Sequence, residues 1–122
     1  MKEAIRMSEP YTVKGDCLII HFENELDHHL TEQIRDTIDS IIDRKRIRNI
    51  IMDFENQGFM DSSGIGFIMG RYKRIAPGRG RIYVTNLGRG LERIFKIAGL
   101  YTITVPKDSV EAALYEAGGE KQ

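Results

Sequence analysis

The sequence predicts one α/β domain: a small mixed sheet opened by a β-hairpin, with four helices packed mainly on one face. Three observations carry this. Short β-type apolar runs alternate with segments of helical periodicity, the connections between them are brief, and the first two runs meet at a Gly-Asp pair. Strands alternating with helices over short connections imply right-handed crossovers and a largely parallel sheet. At 122 residues the whole chain, 1–122, is one domain with a core over about residues 11–117, and a chain of this size buries about two-thirds of its unfolded surface without needing disulfides or metal.

Residues 11–23 (YTVKGDCLIIHFE) place two extended runs around Gly15-Asp16, a pair that tolerates positive φ and suits a two-residue hairpin turn. Next, Leu30, Ile34, Ile38, Ile41 and Ile42 mark one face of a helix ending near residues 44–46, with Asp27 or Thr31 as its cap. Residues 47–54 (IRNIIMDF) are nearly continuously apolar, as in a central strand. After a polar stretch at 55–58, Ile65, Ile68, Met69, Tyr72 and Ile75 define a second helix that starts at or just after Ser62 and is broken by Pro77-Gly78. Residues 81–85 (RIYVT) give a strand, and Leu91, Ile94, Phe95 and Ala98 a short helix closed by Gly99. Residues 102–105 give a last strand ended by Pro106, and Asp108 with Glu111 resembles a capping box for a fourth helix through Val110, Ala113, Leu114 and Ala117. The order is β-β-α-β-α-β-α-β-α.

Composition excludes several function classes. Eighteen Lys+Arg balance 18 Asp+Glu, so there is no general attraction to nucleic acid or membrane. The cations Arg71, Lys73, Arg74, Arg79, Arg81, Arg89, Arg93 and Lys96 face the single acid Glu92 between residues 71 and 96, but no helix-turn-helix or aromatic sheet pattern accompanies them. The lone Cys17 forms no internal disulfide. Cys17, His21, His28 and His29 are the only zinc-type N and S ligands and are poorly spaced for it, so neither metal nor cofactor is expected. The longest aliphatic runs are three residues, and Glu3 and Glu9 interrupt the N-terminus, which predicts no membrane span, no signal peptide and a cytoplasmic protein.

The most informative local feature is Met60-Asp61-Ser62-Ser63-Gly64-Ile65-Gly66, at a strand-to-helix junction where backbone N–H groups favour anions. An N-cap serine with glycines that let the helix approach the sheet would serve structure alone. Yet Gly64, Gly66 and Gly70 each cost a helix interior about 0.8–1 kcal/mol against alanine, which asks for a compensating close approach. A phosphate loop would need a Gly-Lys pair that the chain lacks, and a nucleophile elbow would need glycine where Met60 stands. All three histidines precede residue 30, so nucleotide-binding or hydrolytic chemistry has no evident base. Asp27-His28-His29 is the second feature. In a parallel sheet it falls at the same carboxyl edge as Ser62.

Residues 25–29 (Glu-Leu-Asp-His-His) and 59–66 (Phe-Met-Asp-Ser-Ser-Gly-Ile-Gly), continuing through Gly70-Arg71-Tyr72-Lys73, together resemble the anti-sigma factor antagonists of the STAS domain family, most closely those directed at the sporulation anti-sigma-F factor. The resemblance runs from about Tyr11 to Ala117. It implies a non-enzymatic switch: the unphosphorylated protein binds an anti-sigma factor that is also a serine kinase and so releases the sigma factor. The kinase phosphorylates the antagonist, and a PP2C-type phosphatase restores it. By position Ser62 is the phosphoacceptor, while Asp27, His28, Asp61, Ser63, Gly64 and Gly66 contribute to partner binding, with no direct contact to nucleic acid or membrane. An antagonist of a general stress-response kinase is the nearest alternative. The basic turn at residues 77–81 matches no family function.

Overall fold

The computed structural model describes residues 11–119, so the reading of the N-terminal ten residues lies outside the described residues. Strands β1 (Tyr11–Lys14) and β2 (Cys17–His21) form the predicted hairpin, with Gly15 at φ 62° in the turn. There follow α1 (His28–Lys45), β3 (Asn49–Asp53), α2 (Ser62–Ile75), β4 (Ile82–Thr85), α3 (Arg89–Ile97), β5 (Thr104–Lys107) and α4 (Val110–Gly119). Short 3-10 turns at Ala76–Gly78 and Leu100–Thr102 end α2 and precede β5.

The sheet order is β1-β2-β3-β4-β5, antiparallel for the first pair and parallel thereafter. This monotonic order dictates the layering. Each right-handed crossover moves one strand in the same direction, so α1, α2 and α3 must all lie on one face. Their apolar sides close over Leu18, Ile20, Ile50, Met52, Ile82 and Val84, with Phe22, Phe54 and Phe95 packed among them. The last helix among the described residues, α4, crosses the other face, where Ala113 and Ala117 meet Cys17, Ile19, Ile51 and Tyr83. Three helices on one side and one on the other explain why β2 and β3 are buried at nearly every position.

Several boundaries shift. Pro106 does not end the last strand but sits inside it, which an edge strand tolerates because its outer side makes no ladder. The fourth helix therefore starts one residue later than the Asp108 reading: Ser109 Oγ accepts the Ala112 N–H at 3.0 Å. Asp27, not Thr31, caps α1. Its Oδ1 accepts the Leu30 N–H at 2.9 Å, while the buried Thr31 hydroxyl donates to the His28 carbonyl. Arg71, which the sequence places in a basic stripe, is only 6% exposed. Its Nε lies 2.9 Å from Asp39 Oδ1, its Nη2 donates to Oδ2 at 3.2 Å, and its guanidinium lies 4.7 Å from the Phe67 ring centre. It joins α1 to α2 instead of facing a ligand. No helix among the described residues is long and apolar enough to cross a membrane.

Candidate functional site

The β2–α1 and β3–α2 connections meet at the carboxyl edge of the sheet. A parallel bridge between Leu26 and Met60 carries the β2–β3 pairing past the strand ends, which sets the next residues, Asp27 and Asp61, side by side as the caps of α1 and α2. Asp61, and not a serine as the sequence suggests, is the N-cap of α2, and it serves both helices. Its Oδ1 accepts the Ser63 and Gly64 N–H groups at 2.9 and 3.3 Å, and its Oδ2 accepts the His28 N–H, the first free amide of α1, at 3.1 Å. Two helix N-termini thus converge on one carboxylate, satisfying donors that would otherwise be orphaned.

Gly64 makes this convergence sterically feasible. It is buried, and a Cβ there would lie 2.5 Å from the Leu26 carbonyl oxygen and 3.0 Å from Met60. Its contribution is internal. Gly66 and Gly70 behave differently, because added Cβ atoms at either would meet nothing within 4 Å. Packing within the described residues therefore explains one of the three glycines and leaves an open strip on the outer face of α2.

Ser62 is the first residue of α2 and is exposed, with no side-chain hydrogen bond among the described residues. Ser63 is half-buried, its Oγ 3.3 Å from His28 Nδ1. His29 points elsewhere, with Nε2 3.3 Å from Gln33 Nε2 along its own helix, so the two adjacent histidines share no ligand position. Asp27, His28, Asp61, Ser62 and Ser63 consequently lie together where the two connections meet, with Asp27 and Ser62 at one edge as the strand order predicts, and Gly66 follows one turn along α2. Sequence reasoning missed the two apolar side chains beside them: Phe59 is 50% and Met69 43% exposed. Helical spacing assigns Met69 to the core, but it lies at the rim of the apolar arc.

Behind these loops lies a polar ladder that periodicity did not reveal. His21, Asp53 and Thr85 are cross-strand neighbours at the ends of β2, β3 and β4. Asp53 accepts from Asn86 Nδ2 at 2.7 Å and Thr85 Oγ1 at 3.1 Å through Oδ1, and its Oδ2 lies 3.0 Å from His21 Nδ1. Burial alone raises the Asp53 pKa. Hydrogen bonds from Asn86, His21, Thr85 and the Glu55 backbone outweigh it, and the net direction is down. Ligand atoms of His21, Asp53 and Glu55 lie within 4.8 Å of one another, but Asp53 is already committed to these neighbours. The cluster ties three strand ends together, and the loop after β3 is held from beyond by the Asn56 N–H donating to the Asn86 carbonyl at 2.6 Å.

The family model for the STAS domain matches residues 10–113. The chain belongs to the STAS domain family. Among curated relatives of this STAS protein, an anti-sigma F factor antagonist of Paenibacillus polymyxa is 36% identical over 99 residues, covering 81% of this chain and 85% of that one. Among solved structures, the anti-sigma factor antagonist SpoIIAA in its unphosphorylated form superposes with a TM-score of 0.79 at 32% identity, covering 88% of this chain and 93% of that one. The Bacillus cell fate determinant SpoIIAA in the phosphorylated form gives 0.69 at 32% identity, over 86% and 94% of the two chains.

Proposed function

We propose that this STAS domain is an anti-sigma factor antagonist controlling sporulation transcription, whose binding state is set by phosphorylation of Ser62. The unmodified protein docks an anti-sigma factor that is also a serine kinase and displaces the sigma factor. The kinase transfers the γ-phosphoryl group of ATP to Ser62 Oγ and the antagonist leaves. A PP2C-type phosphatase in the cytoplasm regenerates it. The antagonist contributes a docking surface and an acceptor hydroxyl, with no catalysis of its own.

The observation that carries this reading is the exposed Ser62 hydroxyl at the start of α2, beside Asp27 and His28 from the neighbouring connection. Likeness to a protein known in phosphorylated and unphosphorylated forms supports it. Phe59 and Met69 supply apolar anchors at the rim, and the open strip over Gly66 and Gly70 lets a partner approach the helix backbone. Phosphorylation adds about −1.5 to −2 charges at neutral pH. A 100-fold loss of affinity requires about 2.7 kcal/mol, and desolvating an unmatched dianion at an interface exceeds that readily.

The test is intact-mass measurement and peptide mapping after incubation with anti-sigma kinases and ATP. One added phosphate on Ser62, abolished in Ser62→Ala, is the expected result. Phosphate on Ser63 alone, or none with any such kinase, would overturn the assignment.

A further inference from the structure

At the amino edge of the sheet, opposite Ser62, the α1–β3 and α2–β4 connections adjoin. Gly80 packs so closely on the Arg48 carbonyl oxygen that a Cβ would overlap it, and the Arg81 N–H donates to Asn49 Oδ1 at 2.8 Å. These two turns and the last turn of α1 expose Arg44, Lys45, Arg46, Arg79 and Arg81, with Arg48 half-buried among them and its Nε buried. The acids nearby are Asp16, whose carbonyl accepts the Arg48 and Asn49 N–H groups at 2.7 and 3.3 Å, Asp43 and Glu116, and they are engaged. Asp43 pairs with Arg74 at 2.7 Å, and Glu116 is shared between Lys107 and Arg81. Among the described residues, Lys45, Arg46, Arg48 and Arg79 have no ion pair.

Two of these arginines stand where backbone preference disfavours them. Arg46 and Arg79 end their helical turns in the left-handed conformation, at φ 53° and 63°, a position usually given to glycine or asparagine. Both side chains are exposed, so neither the turn nor the core asks for arginine. The opposite edge carries Glu23, Glu25, Asp27 and Asp61. Zero net charge therefore coexists with a local cluster of cations at the amino edge, although Arg89 and Lys107 also stand at the carboxyl side.

We propose that the amino edge docks an acidic segment of a partner protein, independently of Ser62. Arginine forks take carboxylates in bidentate fashion. Two adjoining turns present a short basic strip, suited to one extended segment carrying a few carboxylates. A nucleic-acid duplex or lipid surface would draw on long-range attraction, which a chain of zero net charge does not provide.

The experiment titrates the full-length protein against a fluorescein-labelled, glutamate-rich peptide, with a random-sequence DNA duplex and phosphatidylglycerol vesicles as the other arms. The Arg46→Asn/Arg79→Asn variant removes two charges while keeping residues that accept the left-handed turn. Binding of the peptide that weakens with salt and falls by about tenfold or more in the variant, at unchanged melting temperature, is expected. Should that variant not fold, Arg44→Gln/Lys45→Gln must show the loss. No peptide binding, equal binding by wild type and variant, or preference for duplex or vesicles would each overturn the proposal.

Discussion

The backbone N–H of His28 donates to Oδ2 of Asp61 at 3.1 Å, so the carboxylate that caps α2 also closes the start of α1. Losing a single cap costs about 0.5–2 kcal/mol, and this residue satisfies three donors in two helices. Asp61→Ala is expected near the upper end of that range in urea denaturation. Amide exchange should accelerate at His28 as well as at Ser63 and Gly64. Acceleration confined to α2 would show that the link between helices contributes nothing.

The glycines of α2 should separate in the same assay. Gly64→Ala drives a methyl group onto the Leu26 carbonyl oxygen, and overpacking of this kind costs about 1–3 kcal/mol. Gly66→Ala meets open space and should stabilise the isolated protein by up to about 1 kcal/mol through helix propensity. For partner binding the order reverses in kind: under the proposed function the strip over Gly66 faces the partner, so Gly66→Ala should weaken binding to the anti-sigma factor while raising stability. A Gly66→Ala protein that binds normally would remove that residue from the interface.

The element order, the hairpin and the sharing of one edge by Asp27 and Ser62 were legible because they follow from periodicity, turn chemistry and the handedness of crossovers. Apart from Met69, the residues whose roles sequence patterns did not reveal are those whose partners lie far away in sequence. Arg71 resembles its basic neighbours until Asp39, 32 residues earlier, is seen to neutralise it. Asp53 resembles the polar end of a strand until His21, Thr85 and Asn86 converge on it. Gly64 and Gly66 share a motif, yet only the nearness of the Leu26 carbonyl distinguishes internal fit from open surface. In each case the information lies in a contact across strands or helices.

The Asp53 ladder gives the acid limb of stability a definite sign. Its carboxylate is held below the usual range in the folded chain, so its contribution is complete above the unfolded aspartate value of about 3.9 and is lost as pH falls through the lower folded value. Asp53→Asn should cost about 1–3 kcal/mol at neutral pH by disturbing buried hydrogen bonds. It should also flatten the decline of stability in acid relative to wild type. Denaturation midpoints across the acidic range check both effects, and an unchanged acid slope would mean the carboxylate is not depressed.

Phosphorylation of Ser62 is expected to act through charge at the interface and to leave the fold in place. The modified side chain would stand at the N-terminus of α2, with α1 starting alongside. Helix N-termini stabilise an anion by about 0.3–1 kcal/mol each at exposed sites, which offsets repulsion from Asp61 and Asp27. Stability should therefore change little, and backbone amide shifts should stay within the two connections at the carboxyl edge. Loss of affinity then arises from burying the dianion against the partner and appears mainly as faster dissociation. Amide spectra and partner off-rates of the two forms, measured together, decide the matter: shift changes spreading through β3 and β4 to the amino edge would show a conformational switch and rule out the electrostatic one.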